Sequence, residues 1–229
     1  MSFSEEFSSF AEGFVPLTPI NFFQISAGCL YLPPAKGTIF PNISKVQAQK
    51  MLLPDLSKLC AEESFAEISL GWNEEGLEAL VKINRPFKRS VFPDVDRGDS
   101  VEFFIDTRDV KTAGFNTRFC HHFFFLPEAV DGHSAGEITH FRTEDAHPLC
   151  DSKDLKVKSS LQSSSYSLHI FIPESCLYGF DPGQFKRLGF SYRINRADGF
   201  PQHFSVVTED FSINQQPSLW GSLKLLPKA

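Results

Sequence analysis

From Phe65 onward the chain alternates apolar with small or polar side chains at period two. Phe65-Ala66-Glu67-Ile68-Ser69-Leu70-Gly71-Trp72 is followed by turn chemistry at Asn73-Glu74-Glu75-Gly76 and by Leu77-Glu78-Ala79-Leu80-Val81-Lys82-Ile83. Alternation sends every second side chain to one face of a strand, so the pattern predicts a β-hairpin. The turn Asp96-Arg97-Gly98-Asp99 leads into a strand over 100–106, and a run from Arg118 to Leu126 predicts another that Pro127 should stop. Residues 128–154 are polar and punctuated by Gly132, Gly136 and Pro148, which predicts an irregular connection with at most a short strand over 137–141. A second hairpin over 155–172 turns at Gln162-Ser163-Ser164-Ser165, and strands are expected again over 187–195, 203–207 and 219–226.

The first 64 residues lack such a period. Phe and Pro recur in Phe14-Val15-Pro16, Asn21-Phe22-Phe23 and Leu32-Pro33-Pro34, which predicts extended segments wrapping a core formed by residues 65–229, with a short edge strand near Phe22–Ile25. Helical signal over 44–63 is broken at Pro54, where Asp55 can cap a short piece over 56–60, and a single helical turn is expected at Pro173-Glu174-Ser175-Cys176-Leu177. Strands therefore dominate without βαβ alternation. The predicted fold is mainly β: an antiparallel β-sandwich of two packed sheets, jelly-roll-like, with only short helical turns.

The 229 residues suffice for one large domain, and the composition places it among globular chains. Phe is unusually abundant, 25 residues against two Trp and four Tyr, which predicts a core of rigid rings. With 22 Lys and Arg against 28 Asp and Glu, no global positive field exists to attract a phosphate backbone, which argues against nucleic acid as a partner. The start Met1-Ser2-Phe3-Ser4-Glu5-Glu6 lacks a secretory n-region and no apolar run reaches membrane-span length, so a cytoplasmic location is expected. Five scattered cysteines (Cys29, Cys60, Cys120, Cys150, Cys176) show no zinc-knuckle spacing and are expected as isolated reduced thiols.

Three segments resemble the family 9 carbohydrate-binding modules and their DOMON-like relatives: the hairpin from Leu70 to Leu77, the strand from Gly98 to Asp106, and Tyr166 to Pro173 leading to Leu188-Gly189-Phe190. The closing stretch from Gln216 to Leu223 resembles the last strand of such domains. The resemblance implies a sandwich of two antiparallel sheets, usually non-catalytic, that binds sugar ends in some members and haem in others. In the family's sugar binders a pair of tryptophans sandwiches the ligand; neither tryptophan of this chain aligns to those positions.

A sugar site needs an apolar face for the ring and planar hydrogen-bonding groups for its hydroxyls, because each desolvated hydroxyl must recover its lost bonds. Trp72 stands at a hairpin mouth and Trp220 follows Pro217-Ser218-Leu219; an exposed indole would stack a sugar, a buried one would close the core. The densest polar cluster is Tyr192, Arg193, Asn195 and Arg196, with Gln202 and His203 brought back alongside by a turn. The bland alternative pairs these arginines with Glu102, Asp106 or Asp198.

Metal chemistry has weaker signals. Asp94, Asp96 and Asp99 superficially resemble a calcium loop, but Gly98 takes the place of an oxygen ligand, so a solvated turn is favoured and no cofactor is expected. His121 and His122 are adjacent, fall on opposite strand faces and cannot share one metal. Asp106, Asp109, Glu137, Glu144 and Asp145 supply carboxylates, yet no hydrolase elbow, phosphate loop or zinc-protease signature occurs. The expected function is non-catalytic recognition of a saccharide or small polar ligand. The alternative is a protein-interaction or scaffold domain that kept the sandwich without a sugar site.

Overall fold

The structure is a computed structural model that describes residues 24–34, 37, 40–41, 43–205 and 211–228. Among these the strands are β1 (Ser26–Tyr31), β2 (Ala66–Asn73), β3 (Gly76–Ile83), β4 (Ser100–Asp106), β5 (Cys120–Val130), β6 (His133–Glu137), β7 (Lys156–Leu161), β8 (Tyr166–Pro173), β9 (Arg187–Asn195), β10 (Gln202–His203) and β11 (Gly221–Leu225). One α-helix is described, α1 (Lys45–Lys50), together with short 3-10 turns. Its start is set by Ser44, whose hydroxyl accepts from the Gln47 amide while the Gln47 side chain accepts from the Ser44 amide. Asp55 caps no helix; its carboxylate accepts instead from the Ser57 amide and the Ser64 hydroxyl.

The molecule is mainly β. Hydrogen bonding runs in the order β6-β5-β4-β9-β11-β1-β2-β3-β8-β7, with β10 on β9, and β7 returns against β5 and β6 so that the ladder nearly closes on itself. Antiparallel pairing prevails except at β1. Residues 26–29 of that strand run parallel to β11, and Leu30 and Tyr31 run parallel to β2. The N-terminal strand is thus paired on both sides and begins at Ser26, where an edge strand near Phe22–Ile25 was expected; Phe22 and Phe23 lie outside the described residues.

Alternation assigns the core as expected. Val101, Phe103 and Ile105 of β4, Phe123 and Phe125 of β5, and Leu188, Phe190, Tyr192 and Ile194 of β9 all face inward with Leu168 and Ile170 of β8. The phenylalanine excess is used here: Phe103, Phe125, Phe190, Phe204 and Tyr192 form a chain of rings with centroids 5.5–6.4 Å apart, the range of tilted and edge-on packing.

Two expectations fail locally. β5 runs past Pro127 to Val130, because the pairing register with β6 shifts between Phe125 and Val130 and a proline at such an irregularity interrupts no ladder bond. The following strand lies at His133–Glu137, earlier than expected, because Asp131 and Gly132 both adopt positive φ (51° and 82°) and form a two-residue hairpin turn. The thiols are not all reduced either. Cys150 and Cys176, 26 residues apart, form a disulfide joining the loop after β6 to the 3-10 turn after β8, while Cys29, Cys60 and Cys120 remain free and buried.

Candidate functional site

The face of the β5-β4-β9 ladder turned away from the core carries a row of polar side chains. Glu102 on β4 stands opposite Arg193 on β9, and Ser100 opposite Asn195. Glu102 Oε1 accepts from Arg193 Nε (2.7 Å) and from Asn195 Nδ2 (2.5 Å), and Arg193 Nη2 lies 2.7 Å from the same oxygen. Its Oε2 lies 2.6 Å from His122 Nε2 on β5, and Asn195 Nδ2 also donates to Ser100 Oγ (2.9 Å). Burial pushes the Glu102 carboxyl up, but the His122 hydrogen bond, the charges of His122 and Arg193 and the Asn195 amide outweigh it and hold the group at about 2. Glu102 is fully buried, whereas the Arg193 side chain keeps 14% of its surface in solvent. The carboxylate therefore fixes a guanidinium plane at the edge of the protein, and a pre-oriented planar donor suits hydroxyl or carboxylate recognition.

The other residues of the expected cluster part company. Tyr192 alternates to the inner face and packs on Phe190 and Phe204; its hydroxyl lies 3.4 Å from Gln202 Nε2. Gln202 also points inward, where Oε1 accepts from the Phe65 and Ala66 amides at 2.8 Å each and Nε2 donates to the Ala66 carbonyl. His203 is buried beside Glu62, with its amide and Nδ1 at 2.7 and 2.5 Å from the two carboxylate oxygens. Arg196 donates to Asp198 and lies over the Phe65 ring. Of the polar group, Arg193 and Asn195 meet at Glu102 on the polar face, whereas Tyr192 and Gln202 meet inside the core.

Both indoles are buried. Trp72 belongs to the main core, with its ring edge-on to Tyr31 and Nε1 donating to the Leu226 carbonyl (3.0 Å). Trp220 sits in a separate cluster with Phe104, Cys120 and Ile213, and its Nε1 donates to the Ile213 carbonyl (2.7 Å). Through Phe104, whose ring is 5.9 Å from Trp220 and 4.5 Å from His122, it borders the polar row. The hairpin mouth does not expose Trp72, because the residue pairs with Leu77 inside the β2–β3 ladder and the turn itself is Glu74-Glu75.

The acidic turn holds backbone. Asp99 is buried and accepts from the Lys88, Arg89 and Ala197 amides, which ties the turn before β4 to two other segments. An open groove of about 550 Å³ lies apart from the polar row, lined in part by Arg108, Lys111, Lys186 and Arg187. Its cations are committed within the protein: Lys111 and Arg187 bind Asp109, and Arg108 lies over the Phe119 and Phe185 rings.

A second buried cluster combines His121, Glu137 and His147. No local spacing announces it, because His121 comes from β5, Glu137 ends β6, and His147 lies in the following loop. The only hints in the sequence are the richness of this stretch in histidine and the Asp131-Gly132 dipeptide, whose hairpin turn brings β6 onto β5.

No protein-family model and no curated protein matches the chain. Solved structures do. A family 9 carbohydrate-binding module from Caldicellulosiruptor kristjanssonii in complex with glucose superposes with a TM-score of 0.61 at 20% identity, covering 89% of this chain and 97% of the other. The module in complex with cellotriose gives 0.60 at 19% identity, covering 89% and 95%. At these identities the likeness establishes the fold: this chain is built as a family 9 carbohydrate-binding module is built.

Proposed function

We propose that the protein is a non-catalytic binding domain for a saccharide, and that the Arg193 edge of the polar row is where the ligand docks. The observation that carries the reading is the buried Glu102 carboxylate holding a partly exposed guanidinium, with Asn195 and His122 alongside, on a fold shared with modules solved with glucose and cellotriose. A guanidinium held in plane recognises vicinal hydroxyls without first losing rotamer freedom. The Cys150–Cys176 bridge favours an oxidising compartment for this role over the expected cytoplasm; no helix among the described residues is long and apolar enough to cross a membrane.

The test is isothermal titration of the full chain with glucose, cellotriose and a panel of other soluble saccharides. Binding is expected for at least one, with Arg193→Ala weakening it about tenfold or more, the scale of one lost charged hydrogen bond. Lys158→Ala, a substitution on β7, should leave it unchanged. No binding across the panel by a folded wild-type chain would remove the saccharide reading. A second reading, an interaction domain that lost its sugar site, is favoured by one observation: both indoles are buried, so neither presents a ring face for stacking. Under that reading Arg193→Ala changes no saccharide titration.

A further inference from the structure

The sheet brings three potential ligands to one buried point. His121 Nδ1 and His147 Nε2 each lie 2.9 Å from the same oxygen of Glu137, Oε1, and the three side chains are 0–2% exposed. Thr139 Oγ1 donates to that oxygen (2.7 Å) and the Cys150 amide to Oε2 (2.8 Å), so the carboxylate is held from both sides.

The far sides of the imidazoles are informative. His147 Nδ1 lies 2.7 Å from the Arg118 carbonyl oxygen, which can only accept; Nδ1 therefore carries a proton. Both nitrogens of His147 thus face acceptors. That arrangement needs a proton on each, or a cation in place of the one on Nε2. His121 presents the complementary problem. If Nδ1 donates to Glu137, the neutral ring leaves Nε2 as a bare, buried acceptor turned to the Tyr178 backbone, whose interaction with this imidazole favours an N–H on the ring. A cation on Nδ1 moves the proton to Nε2, towards that backbone. Each imidazole would then point one nitrogen at a common centre and its N–H at main chain, which is the outer-shell arrangement that orients histidine ligands.

We infer that His121, Glu137 and His147 form a binding site for one divalent first-row transition ion, with zinc the best match to two imidazoles and a carboxylate. The ligands converge from β5, from the end of β6 and from the loop that enters the Cys150–Cys176 bridge, so the ion ties three segments together beside the disulfide. Its role is structural, in keeping with three ligand side chains that are 0–2% exposed. It is independent of the saccharide reading, since it sits on the core-facing side of β5 whereas His122 points to the polar row.

The full-length chain, stripped with chelator and left oxidised, is titrated with zinc chloride while heat and thermal unfolding are followed, and its metal content is measured at saturation. One ion per chain and a raised Tm are expected. His147→Gln should abolish both, whereas His133→Asn, at an exposed histidine, should leave them unchanged. Should His147→Gln not fold, nitrogen NMR of the wild-type side chains decides: zinc must shift His121 Nδ1 and His147 Nε2. A Tm that zinc does not move, uptake equal in His147→Gln and wild type, or unshifted imidazole resonances overturns the site.

Discussion

Glu102 shows how one side chain sets both a site and a pH dependence. Strand alternation in Ser100-Val101-Glu102-Phe103 puts it on the face away from the aromatic core, and only pairing of β4 with β9 and β5 supplies Arg193, Asn195 and His122 around it. Because its folded pKa lies at about 2, below the ordinary 4.5, the unfolded chain takes up the proton first as pH falls. The carboxylate's contribution is thus fully present above pH 4.5 and is lost as pH drops towards 2. In urea unfolding, Glu102→Gln should lose about 3 kcal/mol or more at pH 7, since an uncompensated guanidinium remains in a partly buried place. The gap between variant and wild type should narrow below pH 4. A gap constant over that range would contradict the assignment. Burial moves Asp106 and Glu78 upward instead, so the difference between the two profiles, and not either alone, isolates Glu102.

The hairpins and the bridge between loops set the geometry of single elements. Gly76 closes the β2–β3 turn at φ +143°, and a Cβ there would stand 2.1 Å from the Ile172 carbonyl oxygen on β8. Gly76→Ala must therefore distort both the turn and the next ladder, and should lower the unfolding free energy by about 1–3 kcal/mol, read as a lower urea midpoint at an unchanged m-value. The Asn73-Glu74-Glu75-Gly76 signal was legible because a glycine in a turn between alternating runs has a local cause. Asp131-Gly132 carries an equally local signal, but the polar stretch around it hides the strand it creates. Bonding of Cys150 to Cys176 had no local signal at all. A bridge spanning 26 residues should contribute about 3–4 kcal/mol by restricting the unfolded chain. Cys176→Ser should show that loss under oxidising conditions, and peptide mapping of the unreduced wild type should recover the 150–176 cross-link.

At the scale of the whole molecule, closure depends on β1. It leaves β11 after Cys29 and joins β2 at Leu30, so one six-residue strand links the ladder ending in β6 to the ladder ending in β7. Opening it would break the ladder hydrogen bonds to both neighbours at once, each contributing about 0.5–1.5 kcal/mol net. The amides of β1 that bond its neighbours should therefore exchange hydrogen only through global unfolding, at rates matching those of β4 and β9. Faster exchange confined to residues 26–31 would show that the strand is a detachable strap.

The period-two alternation located β2, β3, β4, β5, β7, β8, β9 and β11, their inward faces and the ring-rich core, because which side of a strand a residue occupies is a local property of the backbone. It likewise placed Arg193 and Asn195 on one face and Tyr192 on the other. Which strands neighbour one another is a property of chain closure over long distances, and only the tertiary structure decided it. That decision buried Trp72 and Trp220, set Glu102 against Arg193, paired Cys150 with Cys176 and gathered His121, Glu137 and His147 from three separate segments.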